Sequence, residues 1–304
     1  MLALHRVTAE GSRLADNRAL ELTPDALRAL LTWVRRRGLE VIPMDELAGR
    51  LAQPRGGKVL AFTLDDGYRD NLTVALPIFR EFGFPFTVNL TTGFMNRTTS
   101  LWWYVLEDIL TARTALALTW QGVRHEWQWG TDVEGVFARM AALIRAQDRP
   151  CRDELVNALG SAAGVDPLTA TRALMLDWDE ARTLAADPLV TIGAHTVGHH
   201  TLAHLSDAAL RDELLEAKTE IESRLARPVT HCAYPFGGRH AVNAREFAAA
   251  RACGFTTAVT TRSGNLFPAH AGHLHALPRF NMTPDAEIVR LESGLSGWGR
   301  VVVE

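Results

Sequence analysis

"KVLAFTLDDG", Lys58 to Gly67, sets a short apolar run against two adjacent carboxylates and a glycine. An almost wholly apolar run of this length fits a strand covered on both faces, as parallel strands are. Two aspartates side by side where that strand ends are unfavourable in isolation, because like charges at close range raise each other's pKa. Turns carry Asp and Gly for backbone reasons, so the doublet alone says little. Its meaning depends on what the chain places at its other strand ends.

The same kind of run recurs as "PFTVNL" (85–90), "LVTIGA" (189–194), "VTHCAY" (229–234) and "FTTAVT" (255–260). Helical patterns lie between them, at 70–82, from Ser206 in "SDAALRDELLEAKTEIESRLA", and in "AREFAAARACG". The clearest is "TPDALRALLTWVRRRG", with Thr23 as N-cap, Pro24 at the first helical position, a basic last turn and Gly38 as a stop. Strand and helix alternating over this length predict a parallel sheet or barrel. From about Asn96 to Trp178 the rhythm breaks. Amphipathic helical patterns there accompany one alternating stretch, "LALTWQGVRHEWQW", read as a hairpin turning at Gln121 and Gly122. We read this region as an insertion packed on the main domain; no repeat or linker marks a sharper boundary.

At 304 residues, with 47% hydrophobic and 22% charged side chains, the chain can bury a large core, as one big α/β domain or two smaller ones. A formal net charge of -3, without a dense basic cluster, argues against nucleic acid as a partner. The opening "MLALHRVTAEG" has no basic leader, long apolar core or cleavage site, and no stretch approaches the roughly 20 apolar residues of a membrane span. Cys151, Cys232 and Cys253 are far apart and lack CxxC spacing, which suits a reducing compartment and argues against a cysteine-based zinc site. A cytoplasmic location is the expectation; the oligomeric state is not legible.

The polar clusters follow the strands directly. Asp65 and Asp66 close the first run, His195 and His199 follow "LVTIGA", and "PFGG" follows "VTHCAY". All three sit at strand C-termini, the face where parallel barrels and open α/β sheets assemble binding and catalytic groups. Two histidines spaced i and i+4, with one carboxylate, form a shell suited to Zn²⁺ or a similar divalent ion with an open position. If Asp66 is that carboxylate, the cation relieves the repulsion between the aspartates, leaving Asp65 ionised to take a proton from a water attacking a carbonyl. An HxxxH spacing also arises by chance among 11 histidines, and "GHHTLAH" reads equally as a polar loop. The DDG at a second strand end is the independent signal that favours a metal site.

These residues resemble the polysaccharide deacetylases of carbohydrate esterase family 4, which carry the NodB homology domain. The resemblance rests on "TLDDGYRDN" (63–71) for the family's TFDDG motif, "IGAHTVGHHTL" (192–202) for its HS/TxxH motif and "AYPFG" (233–237) for its third, in the family's order. It extends to "LDWDEARTLAADPLVTIGAHT" and "LHRV", and covers roughly residues 1–95 and 176–280. The segment at about 96–175 is similar to that of a subgroup labelled chitooligosaccharide deacetylase-like.

The resemblance implies a single domain over 1–304, a distorted (β/α)7 barrel with a mainly helical insertion. It implies metal-dependent removal of N-acetyl groups from amino sugars in an oligo- or polysaccharide. The ion would be Zn²⁺, with Co²⁺ or Ni²⁺ as alternatives. Asp65 takes the place of the general base, and Asp66, His195 and His199 those of the metal ligands. The Phe236 N–H would help hold the oxyanion; its side chain and Tyr234 are either walls of an acetyl pocket or core.

Two departures bear on mechanism. Ala233 stands where the family's third motif often carries an arginine that orients the base. In "LPR", Arg279 stands where a late LxH motif would supply the histidine acid. Arginine donates protons poorly but can stabilise an oxyanion or orient a carboxylate. The acid is then sought among His270, His273 and His275; strand alternation through "HALPRF" would turn His275, Leu277 and Arg279 the same way, and His275 is preferred. Trp102, Trp103, Tyr104, Trp120, Trp127 and Trp129 read as packing or as sugar-stacking rings, and His5 and Arg6 as cavity border or structure. His200 and His204 also satisfy HxxxH, but only the pair at 195 and 199 matches the family's position. Two alternatives remain: a non-catalytic glycan binder that keeps the metal triad, and an amidase acting on a small non-sugar amide.

Overall fold

The computed structural model describes residues 1–54 and 56–283. The expected domain of residues 1–304 therefore ends, at 284–304, outside the described residues. The barrel strands are numbered β1 (Leu2–Leu4), β2 (Phe62–Leu64), β3 (Phe86–Leu90), β4 (Val190–Ala194), β5 (His231–Ala233), β6 (Thr257–Val259) and β7 (Phe280–Asn281). They form one seven-stranded parallel sheet in the order β6-β5-β4-β3-β2-β1-β7.

The sheet curls until its ends meet. Leu277 N–H donates to Ala258 O and Thr260 N–H to Leu277 O, each at 3.1 Å or less. Three residues on, Phe280 N–H donates to Met1 O and Met282 N–H to Ala3 O. The segment leading into β7 is thus hydrogen-bonded to β6 and its continuation to β1, giving the distorted (β/α)7 barrel. Every apolar run read as a strand contributes one, and both faces are buried because helices wrap the outside while side chains fill the inside.

The helices follow the local signals. Pro24–Arg36 begins with the Thr23 side chain accepting from Ala26 N–H, and its apolar face, Leu27, Leu30, Leu31 and Val34, joins the barrel core. Asp207–Leu225 is capped by Ser206, and Ala244–Ala252 by a capping box between Asn243 and Glu246.

Between β3 and β4 the chain builds a second hydrophobic cluster from helices Trp102–Ala112, Val133–Arg145 and Arg149–Ala163 and the hairpin Ala115–Trp120/Val123–Gln128. The hairpin turns at Gln121 and Gly122, both at positive φ (49° and 78°), as a tight two-residue turn requires. Phe236 packs against both clusters, so the "PFGG" loop lies where barrel and insertion meet. Among the described residues no helix is long and apolar enough to cross a membrane.

Candidate active site

The C-terminal ends of β2, β4 and β5 deliver the three motifs to one cavity of about 260 Å³, whose lining includes His5, Asp65, Asp66, His195, His199 and Phe236. Asp66, Thr196, His199 and Phe236 all have positive φ, between 54° and 77°. Non-glycine residues avoid this region, and its concentration in three motif loops marks backbone held for function. Gly67, at φ +85°, lies so close to β3 that an added Cβ would stand 2.9 Å from Leu90 Cδ2. The glycine of DDG is therefore favoured by its conformation, and a side chain there would also have to displace the Leu90 methyl.

Asp66, His195 and His199 each offer one donor atom, all within 4.8 Å of one another. Asp66 Oδ1 lies 3.3 Å from both imidazole Nε2 atoms, yet it is buried and meets no hydrogen-bond donor. His195 Nδ1–H donates to Ala233 O at 2.7 Å, which leaves the Nε2 lone pair facing Asp66. Burial would lower His195, but the nearby carboxylates Asp66 and Asp65 outweigh it and raise the imidazole, so without an ion a proton would be drawn to this point. A two-nitrogen, one-oxygen set converging there fits a divalent ion such as Zn²⁺ in its place. Burial would push the Asp66 carboxyl up, but the facing His195 and His199 outweigh it and hold it well below the usual carboxylate range. His199 is depressed by its own burial, so its imidazole is kept neutral, as a ligand must be.

The HTVGH loop is braced from two directions. The buried Glu213, on helix Asp207–Leu225, accepts from Val197 N–H at 3.0 Å and Gly198 N–H at 2.7 Å. From the insertion, buried Arg152 donates to His199 O at 3.0 Å.

Asp65 is fixed by Arg279. The guanidinium, fully buried, donates from Nη1 to Oδ1 at 2.9 Å and from Nη2 to Oδ2 at 2.7 Å, and is itself anchored on Thr63 Oγ1 and Thr260 O. Asn89 Nδ2 adds a donor to Asp65 Oδ1 at 2.8 Å. Burial would raise the Asp65 carboxyl; Arg279, seconded by His195, overrides it and holds the group far below the usual range. The base-orienting arginine absent at Ala233 is thus supplied by the strand on the other side of the barrel seam. Asn89 is not among the residues the motifs point to, although one amide inside the apolar run "FTVNL" signals an inward-facing polar contact.

Not every expected residue reaches the cavity. His275 lies in a turn ahead of β7, so strand alternation does not extend back to it. Its Nε2–H donates to Phe255 O at 2.8 Å, and it lines a separate open groove with His273 and Arg251. The expectation that His275 stands beside Arg279 at the reacting centre is corrected accordingly. Arg279 itself sits behind Asp65 and is a positioning residue. His5, directly after β1, does line the cavity, close enough for the charges of Asp66 and Asp65 to act on its imidazole; burial nonetheless lowers it. Trp102 and Trp103 face the cavity, whereas Trp120, Trp127 and Trp129 pack on the insertion core. Phe236 presents its ring 5.0 Å from that of His199, and its N–H finds no acceptor among the described residues.

A family model described as polysaccharide deacetylase matches residues 52–258. No curated protein matches the sequence. Among solved structures, deacetylase PplD of Streptococcus pyogenes, in complex with acetate, superposes with a TM-score of 0.63 at 18% identity, covering 96% of either chain. IcaB from Ammonifex degensii gives 0.59 at 16% identity, over 98% of this chain and 94% of that one. A de-N-acetylase from Aggregatibacter actinomycetemcomitans gives 0.61 at 12%, over 96% and 97%. At these identities the likeness is one of fold.

Proposed function

From the premise that the chain belongs to the polysaccharide deacetylase family, we propose that it is a metal-dependent hydrolase removing N-acetyl groups from amino sugars of an oligo- or polysaccharide. Residues 1–304 are read as one domain with an insertion at about 96–175 as part of the same proposal. The observation that carries it is the meeting of Asp66 Oδ1 and two imidazole Nε2 atoms beside an ionised, arginine-locked Asp65.

Asp66, His195 and His199 would hold the ion, which when bound supplies a Lewis acid that polarises the amide carbonyl and makes water more acidic. Asp65 accepts the proton of the attacking water. Because Arg279 and Asn89 occupy it on one side, its orientation needs no adjustment as the reaction begins. The Phe236 N–H, which meets no acceptor among the described residues, is assigned to donate to the oxygen that becomes negative in the tetrahedral intermediate. Collapse of that intermediate breaks the C–N bond, and the departing nitrogen takes a proton to leave as an amine. His5, the cavity-lining imidazole outside the ligand set, is assigned to deliver it. Arg279 cannot, being fully bonded behind Asp65 and always charged.

The test is acetate release from an N-acetylglucosamine oligomer by the Zn²⁺-loaded protein, its loss on chelation and its return on adding Zn²⁺ back. Metal bound without acetate release would favour the glycan-binding alternative, and turnover confined to small amides the amidase.

A further inference from the structure

Helix Val133–Arg145 ends at the cavity, and its last side chain is fixed with a charge left over. Arg145 O accepts from His204 Nδ1–H at 3.0 Å, which ties the helix end to the loop following the HTVGH motif. Arg145 Nε donates to Ala141 O at 3.2 Å. The guanidinium carbon lies 5.8 Å from the Trp102 ring centre and 5.9 Å from that of Phe236, within cation–π range of both. Among the described residues its two NH₂ groups meet no acceptor and it forms no ion pair.

The other charges of the lining are accounted for differently. Asp65 is neutralised by Arg279, and Asp66 faces two imidazoles that would share a cation with it. Asp16 also borders the cavity but lies beyond ion-pair distance of Arg145. What remains facing the cavity is a planar fork with unused parallel donors, beside the ring of Phe236, the residue whose backbone N–H is assigned to the oxyanion. Such a fork matches a carboxylate bidentately, a geometry a neutral hydroxyl cannot reproduce; the side chain is exposed, so a carboxylate can reach it from solvent.

We infer that Arg145 is a specificity-determining residue for a carboxylate carried by the reacting N-acetylated amino sugar or by the unit next to it, so that the substrate is an acidic glycan. This rests on the deacetylase reading above. A carboxylate within reach of Arg145 has two chemical sources, a lactyl ether on the amino sugar itself and a neighbouring hexuronate.

The Zn²⁺-loaded protein is given an oligosaccharide bearing a 3-O-lactyl carboxylate on its N-acetylated amino sugar, one alternating hexuronate with N-acetylhexosamine, and the methyl ester of each. For the source that fits, kcat/KM for the free carboxylate exceeds that for its ester by about tenfold or more, as a charge-assisted bidentate pair provides. In Arg145→Ala that ratio falls to about one, and in Arg145→Glu below it. Trp fluorescence titration of Asp65→Asn, which binds without turning over, shows the same preference, and the double variant Asp65→Asn/Arg145→Ala loses it. Equal rates on acid and ester in the unaltered protein, or a preference that survives Arg145→Ala, overturn the inference and leave the deacetylase reading standing. No acetate from any of the substrates, nor from the neutral oligomer, overturns both.

Discussion

Arg279 grips Asp65 with two parallel hydrogen bonds of 2.9 and 2.7 Å across 214 residues of sequence, while its Nε donates to Thr260 O directly after β6, so the residue that aims the base also bonds across the barrel seam. Neither side chain is more than 2% exposed, so the pair is dry. Arg279→Met leaves a buried carboxylate without its counter-charge, which costs about 3–5 kcal/mol. Because the folded carboxyl is held low, the pair stabilises the fold above the unfolded value near 4 and loses that stabilisation as pH falls through the folded one. Thermal melts between pH 3 and about 7 should therefore show less acid dependence in Arg279→Met. The acid limb of kcat/KM should shift upward in both Arg279→Met and the milder Arg279→Lys. An unmoved limb in Arg279→Lys would show that Arg279 is structural only.

Asp65→Asn keeps the shape of the base and removes its basicity. Turnover is expected to drop by about 10²–10⁴ while bound metal, measured by elemental analysis, stays stoichiometric. His199→Ala should lose metal and turnover together. Near-normal turnover in Asp65→Asn rules out the base assignment.

His5→Gln removes the proton proposed for the leaving amine. We expect kcat to fall about 10²-fold with little change in KM, and the limb of the kcat profile on which His5 deprotonates, placed below the ordinary histidine value by its burial, to disappear. His275→Gln, in its separate groove, should behave as the unaltered protein. The reverse pattern would restore His275 as the acid.

Glu213→Ala removes the carboxylate that accepts from the two amides between the histidine ligands. Loosening that loop should weaken the metal by about 10–100-fold, as loss of outer-shell partners typically does, read by competition with a chromogenic chelator. Unchanged affinity would mean that the loop holds its shape without Glu213.

Much of the site was legible because it is local. In Lys58–Gly67 the apolar run, the doublet and the glycine are joined by one turn, and His195 and His199 are separated by a single strained loop. Strand ends in a parallel barrel share a face whatever their register, so motif order alone places Asp65, Asp66, His195, His199 and Phe236 around one cavity. The helix caps at Thr23 and Ser206 were legible for the same reason: each is a bond between near neighbours.

Partners far apart in the chain were not. That Arg279 serves Asp65, that His275 turns outward, and that His5 and Arg145 enter the cavity all depend on how β7 seats between β1 and β6 and how the insertion lies on the barrel. One residue of slip in a strand exchanges its two faces, and no short-range pattern near "HALPRF" fixes that register. The sequence by itself determined which groups stand at the mouth of a parallel barrel, because turn and strand chemistry act over a few residues. Only the closed tertiary structure decided which of them touch, because hydrogen bonds across the seam and the core beneath Phe236 exist only once distant segments have packed.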